Sequence, residues 1–493
     1  MSQTEPTTAP LHLVFVPFLA RSHFAPLAAK AAAAAQEGGA TTTATIVTTR
    51  HFAALAPRSV PVQVAPFRAP GGHEDFSLLP EGDAAAAAAQ AFFAAAEAAL
   101  APALAEVLRQ HGASAVAVVS DAVLHWAPRV ARGCGAPHVT FHTIGAFAAA
   151  AMVALHLHRP AAAPLPEPFG LPGGFPHPVR LCRAQVNEGA LLHLPLFRAA
   201  EAQSHAVAFN SFAALEADFA EYYRRQHGGC PRVFLVGPTR AAAVSPRGDD
   251  GAGAERDPIL QWLDGRPAGT VVYVCFGSTC GLGASQLREL AAGLRASGCP
   301  FLWVIPSQTA AAGDGGGGGT EPEERASSHG MVVAGRWAPQ AKILAHRAVG
   351  GFVTHCGWNS ALEAVSAGVP VATWPLRAEQ FLNEAFLVEV LGVGMRVREA
   401  AAAATARGAD LDAVVPAEAV AGAVGRLMGY GDGDHEGTAE ARRARARELG
   451  AAARAAVAEG GSSRSEWARL VDELRALHGH GGDAPNCDQC DAA

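Results

Sequence analysis

Short apolar runs alternate with alanine-rich stretches along most of the chain. Five runs occupy the first half, at residues 11–18, 43–48, 115–120, 138–143 and 206–211. Four more occupy the second half, at residues 270–278, 301–306, 351–355 and 369–375. Runs of this length, such as LHLVFVPF and TVVYVCFGS, are typical of parallel strands buried on both faces of a sheet. The pattern therefore predicts two β-α-β series, each forming a doubly wound, Rossmann-like α/β domain.

Two low-complexity segments lack any apolar period. Residues 239–257 are rich in Pro, Gly and Asp and separate the two series, so we interpret them as an interdomain linker. Residues 313–324 are predicted to form a solvated loop. The domains are accordingly placed at residues 1–238 and 258–459, with a disordered tail at 479–493. Ligands of such sheets bind outside the carboxyl ends of the strands, so the cleft between the domains is the expected site.

Composition excludes several classes of protein. The net charge of −7 is mild and no basic cluster stands out, which argues against a nucleic-acid partner. No window has the length and purity expected of a membrane span, and the start MSQTEPTTAP lacks the features of a signal peptide, so we expect a cytoplasmic protein. The nine scattered cysteines indicate reduced thiols rather than a disulfide framework.

Two motifs that suggest metal chemistry have poor contexts. Cys487 and Cys490 form a C-x-x-C without a second pair, in the predicted tail. The D-x-D motif, Asp432-Gly433-Asp434, lies in a glycine-rich stretch and does not end a strand. No metal ion is therefore predicted.

The segment GGFVTHCGWNS passes from an apolar strand directly into the start of a helix. Gly357 gives the turn a permissive backbone, and Asn359 and Ser360 suit an N-cap. A helix N-terminus after a parallel strand is a ready anion site, and His355 beside it is a possible phosphate partner.

Other polar and aromatic side chains surround this turn in the sequence. Trp337 offers a flat face for a base, and Glu363 can reach a pair of hydroxyls. Glu379 and Gln380 are strong hydrogen-bonding groups suited to a polyol. The segment from Trp337 to Gln380 thus provides for a base, hydroxyls, a phosphate and a sugar, which suggests a nucleotide-sugar site.

A candidate general base lies in the first domain. His23 follows the first apolar run, where the carboxyl end of the strand is expected, and histidine has a suitable unperturbed pKa. Asp121 ends the run AVAVVSD at the same edge of the sheet and can fix the tautomer of such a base. The alternatives are a solvated loop histidine, and a carboxylate that caps a helix or lies in a loop.

The 44 residues from Trp337 to Gln380 closely resemble the signature box of plant family 1 UDP-glycosyltransferases. The box begins with W-A-P-Q, contains H-C-G-W-N-S and ends in E-Q. Further similarities cover nearly the whole chain, at 79–82, 210–216, 236–238, 272–278 and 460–474. The resemblance implies a GT-B fold, with acceptor bound by the N-terminal domain and UDP-sugar by the C-terminal domain. It also implies a final helix, residues 460–478, packed back on the N-terminal domain.

The resemblance implies a role for each matching residue. His23 would be the catalytic base and Asp121 its partner, although Ser22 stands where the family has glycine. Trp337 and the backbone of Ala338 would hold the uracil, and Gln340 and Glu363 the ribose. The remaining predicted contacts are with the diphosphate (Ser278, His355, Asn359 and Ser360), the sugar (Trp358, Glu379 and Gln380), and either sugar or phosphate (Thr143). For Ser278 and Thr143 a structural role in a turn stays open.

The predicted function is metal-independent, inverting transfer of a sugar from UDP-glucose to a hydroxyl of a small, largely apolar acceptor. The resemblance implies an acceptor from plant secondary metabolism, such as a flavonoid, phenylpropanoid, terpenoid or hormone. No cofactor beyond the co-substrate is expected, and the protein is expected to be a monomer. Arg377 replaces an apolar or aromatic residue of the family, and it could pair with a local carboxylate or bind an acidic group. The alternatives are a nicotinamide-dependent oxidoreductase and a non-catalytic nucleotide-sugar-binding protein.

Overall fold

The protein is described from a computed structural model. It describes residues 10–38, 41–79, 85–111, 115–158, 168–228, 231–239, 257–277, 282–305, 325–327, 329–335, 337–398, 413–430 and 438–479. Several sequence-based predictions lie outside the described residues: those for the linker at 240–256, the loop at 313–324, Ser278, Asp432 to Asp434, Cys487 and Cys490.

The first half of the chain forms a seven-stranded parallel sheet in the order β3-β2-β1-β4-β5-β8-β9. Its strands are β1 (Leu11–Val16), β2 (Thr42–Thr48), β3 (Val62–Val64), β4 (Val116–Asp121), β5 (His138–His142), β8 (Ala206–Phe209) and β9 (Arg232–Leu235). A small antiparallel pair, β6 (Phe169–Gly170) and β7 (Arg180–Leu181), lies outside it. All five apolar runs predicted here are strands of the main sheet.

Helices connect these strands and cover the sheet. They are α1 (Arg21–Glu37), α2 (Arg50–Ala53), α3 (Ala85–His111), α4 (Ala127–Gly133), α5 (Ala146–His158), α6 (Glu188–Glu201) and α7 (Ala213–Gln226). Short 3₁₀ turns occur at Pro70–Gly72, Phe76–Leu78 and Arg183–Gln185. Because parallel strands need crossover connections, the carboxyl ends of neighbouring strands meet at one edge of the sheet.

The second half of the chain forms another seven-stranded sheet, in the order β12-β13-β11-β10-β14-β15-β16. Its strands are β10 (Val271–Cys275), β11 (Phe301–Ile305), β12 (Arg325–Ala326), β13 (Gly330–Ala334), β14 (Val349–Thr354), β15 (Val371–Thr373) and β16 (Gly394–Arg396). All pairs are parallel except β12 with β13. The predicted fold class, two Rossmann-like sheets, is confirmed.

The helices of this half continue the numbering. They are α8 (Pro258–Asp264), α9 (Ala284–Ala296), α10 (Gln340–Leu344), α11 (Trp358–Ala367), α12 (Gln380–Ala385), α13 (Ala417–Met428), α14 (Thr438–Val457) and α15 (Ser462–Gly479). A π-turn, Phe386–Val390, follows α12. Helix α15 returns to the first half, where Trp467, Leu470 and Leu474 belong to the core of the N-terminal sheet.

Helix α3 corrects one expectation from the sequence. It is long and apolar enough to cross a membrane, with a mean hydropathy of 1.6 over 18 residues, and no second such helix is found in the described ranges. One face of α3 nevertheless packs in the N-terminal core, where Phe92, Leu100 and Leu104 are fully buried. A core helix passes the same test of length and composition as a membrane span.

Candidate active site

His23 and Asp121 are brought together at the carboxyl edge of the N-terminal sheet. His23 lies in the first turn of α1, directly after β1, and Asp121 is the last residue of the neighbouring strand β4. The Nδ1 atom of His23 is 2.9 Å from Oδ2 of Asp121, and the other carboxylate oxygen accepts a 3.1 Å hydrogen bond from the backbone of Val123. Asp121 is almost fully buried, while a quarter of the His23 side chain is exposed. The carboxylate is therefore fixed, and the imidazole keeps access to the cleft.

Thr143 approaches the same ring nitrogen. Its hydroxyl oxygen is 3.0 Å from Nδ1 of His23, at the end of the next strand, β5. Since the carboxylate is the stronger acceptor, the Nδ1 hydrogen is assigned to Asp121. This tautomer leaves the lone pair on Nε2 free to take a proton. The sequence analysis assigned Thr143 to the sugar or phosphate, whereas the structure directs its hydroxyl at the base.

Opposing effects set the pKa of His23. Burial lowers the pKa of the imidazole, but the charge and hydrogen bond of Asp121 and the charge of Glu379 together raise it above its ordinary value of 6.5. Glu379 belongs to the second half of the chain, so carboxylates from both halves act on this histidine.

In the second half, Trp337 is 53% exposed although most other aromatic side chains are buried. The adjacent Ala338 is buried, so the backbone is anchored while the indole face stays open. A large flat apolar surface in this position is available for stacking.

Gln340, three residues after Trp337, joins Ser360 and Glu363 of α11 in a hydrogen-bonded group. Nε2 of Gln340 donates to Oγ of Ser360 (3.0 Å) and to Oε2 of Glu363 (2.9 Å). Its Oε1 accepts from the hydroxyl of Tyr273, on β10, at 3.2 Å. Burial raises the pKa of Glu363, and the hydrogen bond from Gln340 offsets part of this rise. The network fixes an acceptor carboxylate at the surface of α11.

His355 lies in the turn between β14 and α11, packed against two glycines. A Cβ atom added to Gly277 or Gly357 would come within 2.7 Å or 2.5 Å of the imidazole ring. Burial, and secondarily the positive charge of Arg377, lowers the pKa of His355 to about 4. Its buried Nδ1 has no hydrogen-bond partner among the described residues. His355 is therefore neutral near pH 7 and has unused hydrogen-bonding capacity.

The same turn contains a non-glycine residue in the left-handed region. Cys356 has a φ of 65°, a conformation that costs about 1–3 kcal/mol and persists only where the surrounding structure stabilises it. Asn383 on α12 supplies that support, because its side-chain N–H donates a 2.9 Å hydrogen bond to the Cys356 carbonyl. The sequence analysis did not single out Asn383, although its position four residues after Glu379 would place both on one face of a helix.

Glu379 and Gln380 begin α12, beside a second left-handed residue, Ala378 (φ 56°). The side-chain amide oxygen Oε1 of Gln380 accepts hydrogen bonds from the backbone N–H groups of Leu376 (2.9 Å) and Arg377 (3.0 Å), so this acceptor is already engaged. Burial raises the pKa of Glu379, while backbone hydrogen bonds and the charge of His23 counteract that rise. The side chain of Arg377 is exposed, and its charge acts on His355.

Trp358 and Asn359, the first two residues of α11, contact the opposite half of the chain. The indole N–H of Trp358 donates to the carbonyl of Asn210, and the side chain of Asn359 donates to the carbonyl of Ser22, next to His23. The base and the start of α11 are therefore in direct structural contact. Among the described residues, no group of three or more His, Cys, Asp or Glu side chains is arranged to hold a metal ion.

Two facing Rossmann-like sheets, with a histidine–aspartate pair on one and a hydrogen-bonding helix start on the other, define the class of protein. Residues 258–419 match the family model described as UDP-glucoronosyl and UDP-glucosyl transferase. Plant UDP-glycosyltransferases that are 33% identical over 94% and 95% of this chain extend the match beyond that region, so the chain belongs to this family, its fold is GT-B, and it is a UDP-glycosyltransferase of the plant type.

Individual relatives extend the similarity over almost the whole chain. UDP-glycosyltransferase 73D1 from Arabidopsis thaliana is 33% identical over 94% of this chain and 96% of its own length. UDP-glucose flavonoid 3-O-glucosyltransferase 7 from Fragaria ananassa is 33% identical over 95% of this chain and 96% of its own. The crystal structure of UGT73P12 from Glycyrrhiza uralensis, complexed with glycyrrhetinic acid 3-O-monoglucuronide, superposes with a TM-score of 0.75 at 29% identity, covering 95% of this chain and 96% of that one. Family membership argues against the nicotinamide-dependent alternative.

Proposed function

We propose that this enzyme transfers glucose from UDP-glucose to a hydroxyl group of a small, largely apolar acceptor, with inversion at the anomeric carbon. His23 takes the proton of the acceptor hydroxyl on Nε2 as the oxygen forms its bond to the anomeric carbon. The bond from that carbon to the diphosphate breaks, and UDP leaves with the electron pair. Asp121 holds the tautomer of His23 and stabilises the imidazolium that forms.

The observation that carries this proposal is the His23–Asp121 pair, with Nδ1 and Oδ2 2.9 Å apart, beside the N-terminus of α11. The pair can accept a proton at the edge of the cleft. A helix N-terminus that follows a parallel strand is a favourable site for an anion. His355 adds a neutral ring whose buried Nδ1 lacks a partner among the described residues, which supports a hydrogen-bonding role toward the diphosphate.

The exposed indole of Trp337 and the carboxylate of Glu363 support a nucleoside at the other end of the site. A base stacked on Trp337 would cover an aromatic face that is 53% exposed. Glu363, held by Gln340, can accept hydrogen bonds from both ribose hydroxyls. Ser278, assigned to the diphosphate by resemblance, lies outside the described residues.

Glucose is proposed as the donor sugar because Glu379 and Gln380 suit its equatorial hydroxyls. The side-chain oxygen Oε1 of Gln380 accepts backbone N–H groups, and its side-chain N–H₂ is the group that we propose to donate to the sugar. Glu379 supplies the acceptor. The name of the Fragaria relative, a UDP-glucose-dependent enzyme that acts on a flavonoid, is consistent with this choice.

Aromatic rings near His23 favour an apolar acceptor. The ring of Phe18 meets His23 edge-on, with centroids 5.4 Å apart, and stacks on Phe93 at 5.1 Å. Phe76 lies 5.1 Å from Phe18. Such a cluster beside the base attracts apolar surface and repels charge. The exposed cation of Arg377 would be the group to bind an acidic substituent.

A donor competition tests the choice of sugar. Equal amounts of UDP-glucose, UDP-galactose, UDP-xylose and UDP-glucuronate are incubated in one tube with a panel of phenolic and terpenoid acceptors. Mass spectrometry then identifies the sugar transferred. We expect glucosides to dominate, and a product dominated by any other sugar would overturn the assignment of the donor.

The diphosphate charge is proposed to be met by the N-terminus of α11 and by His355, without a metal ion. EDTA should therefore leave the rate unchanged. Loss of activity in EDTA that magnesium or manganese restores would contradict this part of the proposal.

A further inference from the structure

The indole N–H of Trp358 points toward the N-terminal half of the chain, although the residue begins α11 in the second half. Its indole N–H donates a 2.9 Å hydrogen bond to the backbone carbonyl of Asn210, which follows β8 of the N-terminal sheet. Only 3% of Trp358 is exposed. We propose that Trp358 is a positioning residue that anchors the start of α11 to the N-terminal half in register with His23. This inference rests on the proposed function, because it concerns the alignment of His23 with the donor sugar.

Asn210 is hydrogen-bonded to the last residue of β5, the strand that ends beside the base. Its backbone N–H donates to the carbonyl of His142 at 3.2 Å. The next residue, Thr143, places its hydroxyl 3.0 Å from Nδ1 of His23. The side chain of Asn210 also accepts a 2.8 Å hydrogen bond from the backbone of Thr239, the first residue of the predicted linker. A short series of direct contacts therefore connects Trp358 with the base.

The indole ring rests on a position where a side chain does not fit. A Cβ atom added to Gly145 would lie 2.9 Å from two ring carbons of Trp358 and 2.8 Å from Oε1 of Glu216. That Glu216 oxygen accepts a 2.7 Å hydrogen bond from the backbone of Phe147, in the first turn of α5. The buried side chain of Glu216 therefore holds in place the backbone segment on which the indole packs.

Aromatic packing extends the contact between the two halves. Phe386, in the π-turn of the second half, stacks on Phe147 with centroids 4.7 Å apart and meets Phe219 edge-on at 5.6 Å. Trp358 lies 6.2 Å from Phe386. Apolar packing restricts the relative motion of domains more than a polar interface does. The single hydrogen bond of Trp358 gives this packed surface a defined register.

The alignment of the two halves matters because the base and the donor sugar belong to different halves. Nε2 of His23 must reach the acceptor hydroxyl, and α11 positions the donor sugar by binding its diphosphate. Misplacement of reacting groups by 1 Å can cost about 10²-fold in rate. An anchor therefore acts on the rate of the chemical step. A direct sugar contact would instead act on the affinity and selectivity for the donor.

Two variants separate these roles. Trp358→Phe removes the indole N–H and keeps most of the aromatic surface. Gly145→Ala changes the N-terminal surface on which the indole packs, and it alters no residue that is proposed to contact the donor. Gly133→Ala is the matched control, since a Cβ atom there meets nothing within 4 Å. For each protein, kcat and donor KM are measured with the preferred UDP-sugar, UDP affinity by titration calorimetry, and unfolding by scanning calorimetry.

We expect both test variants to lower kcat about tenfold or more, with UDP affinity changed less than twofold, and Gly133→Ala to match the wild type. The unfolding transition should broaden or split in both, because the halves are less firmly joined. This readout, like UDP affinity, does not depend on which sugar or acceptor is used, so an error in the proposed function leaves the anchor testable. A raised donor KM at unchanged kcat in Trp358→Phe would identify a sugar contact and overturn the proposal. Wild-type kcat and unfolding in Gly145→Ala would also overturn it.

Discussion

His23 and His355 lie at the carboxyl edges of the two sheets, but their surroundings move their pKa values in opposite directions. His23 is near two carboxylates, Asp121 and Glu379, which raise its pKa above 6.5 despite burial. His355 is packed between glycines, with the cation of Arg377 as its charged neighbour, and its pKa falls to about 4.

The difference teaches how one residue type can serve two functions in one cleft. A histidine that must accept a proton and carry the resulting charge benefits from nearby carboxylates. A histidine that must hydrogen-bond an anion without changing its own charge state benefits from burial and a nearby cation. The two halves of the site therefore differ in electrostatics as well as in sequence.

Removal of His23 should have the largest effect. His23→Ala is expected to lower the rate of transfer to an unactivated alcohol by about 10²–10⁴-fold, because general-base catalysis is lost. UDP binding, measured by titration calorimetry, should be preserved. Near-normal turnover in this variant would remove His23 from its proposed role.

His355→Ala should affect binding instead. A hydrogen bond to a charged group contributes about 1.5–3 kcal/mol, so UDP affinity should fall about 10- to 150-fold. With saturating donor, the remaining kcat should exceed that of His23→Ala. Unchanged UDP affinity in His355→Ala would contradict the proposal that His355 binds the diphosphate while His23 acts as the base.

The two halves also differ in how far the sequence predicts them. Most of the residues predicted to bind the donor lie within 44 consecutive residues, from Trp337 to Gln380, so their spacing along the chain was informative. The base, Asp121 and Thr143 are far apart in sequence, and their meeting depends on the strand order of the sheet. The apolar runs predicted the central strands, but short strands such as β3 (VQV) and β16 (GMR) at the sheet edges carry too little apolar pattern.

Individual side-chain partners from distant segments could not be predicted from the sequence. Trp358 was assigned to the sugar by its place in the motif, because nothing in a local pattern shows that its N–H meets Asn210. Likewise Tyr273 and Glu216 were recognised as parts of motifs, without their partners Gln340 and Phe147. Such pairings depend on packing between distant segments, whereas periodicity reports only the direction of a side chain relative to its own strand or helix.

The pH dependence of the reaction sharpens the contrast. Because the pKa of His23 is raised, its neutral form is lost as the pH falls through a value above 6.5, and kcat/KM should decline on that limb. Asp121→Asn should move the limb to lower pH and reduce the plateau rate. His355→Ala should leave the shape of the pH dependence of UDP affinity between pH 6 and 8 unchanged, since the pKa of His355 is about 4 and the ring does not titrate in that range. An unmoved limb in Asp121→Asn would mean that this carboxylate has no electrostatic role.

A variant of Glu216 tests how burial alters the pKa of a carboxyl group, and of these predictions it should give the smallest effect. Burial raises its pKa from 4.5 to about 7, with hydrogen bonds from Phe147 and Ala146 opposing the rise. Between these pH values the folded state retains a proton that the unfolded state releases, so the free energy of unfolding falls as the pH rises from 4.5 to 7 and stays lower above it. Glu216→Gln keeps an acceptor for the Phe147 N–H and removes this titration. Urea unfolding should show the variant more stable than the wild type by about 1–3 kcal/mol at pH 8, with the advantage lost at pH 5. Equal stability at pH 8 would show that the wild-type carboxylate ionises without penalty, and that burial does not raise the pKa of Glu216.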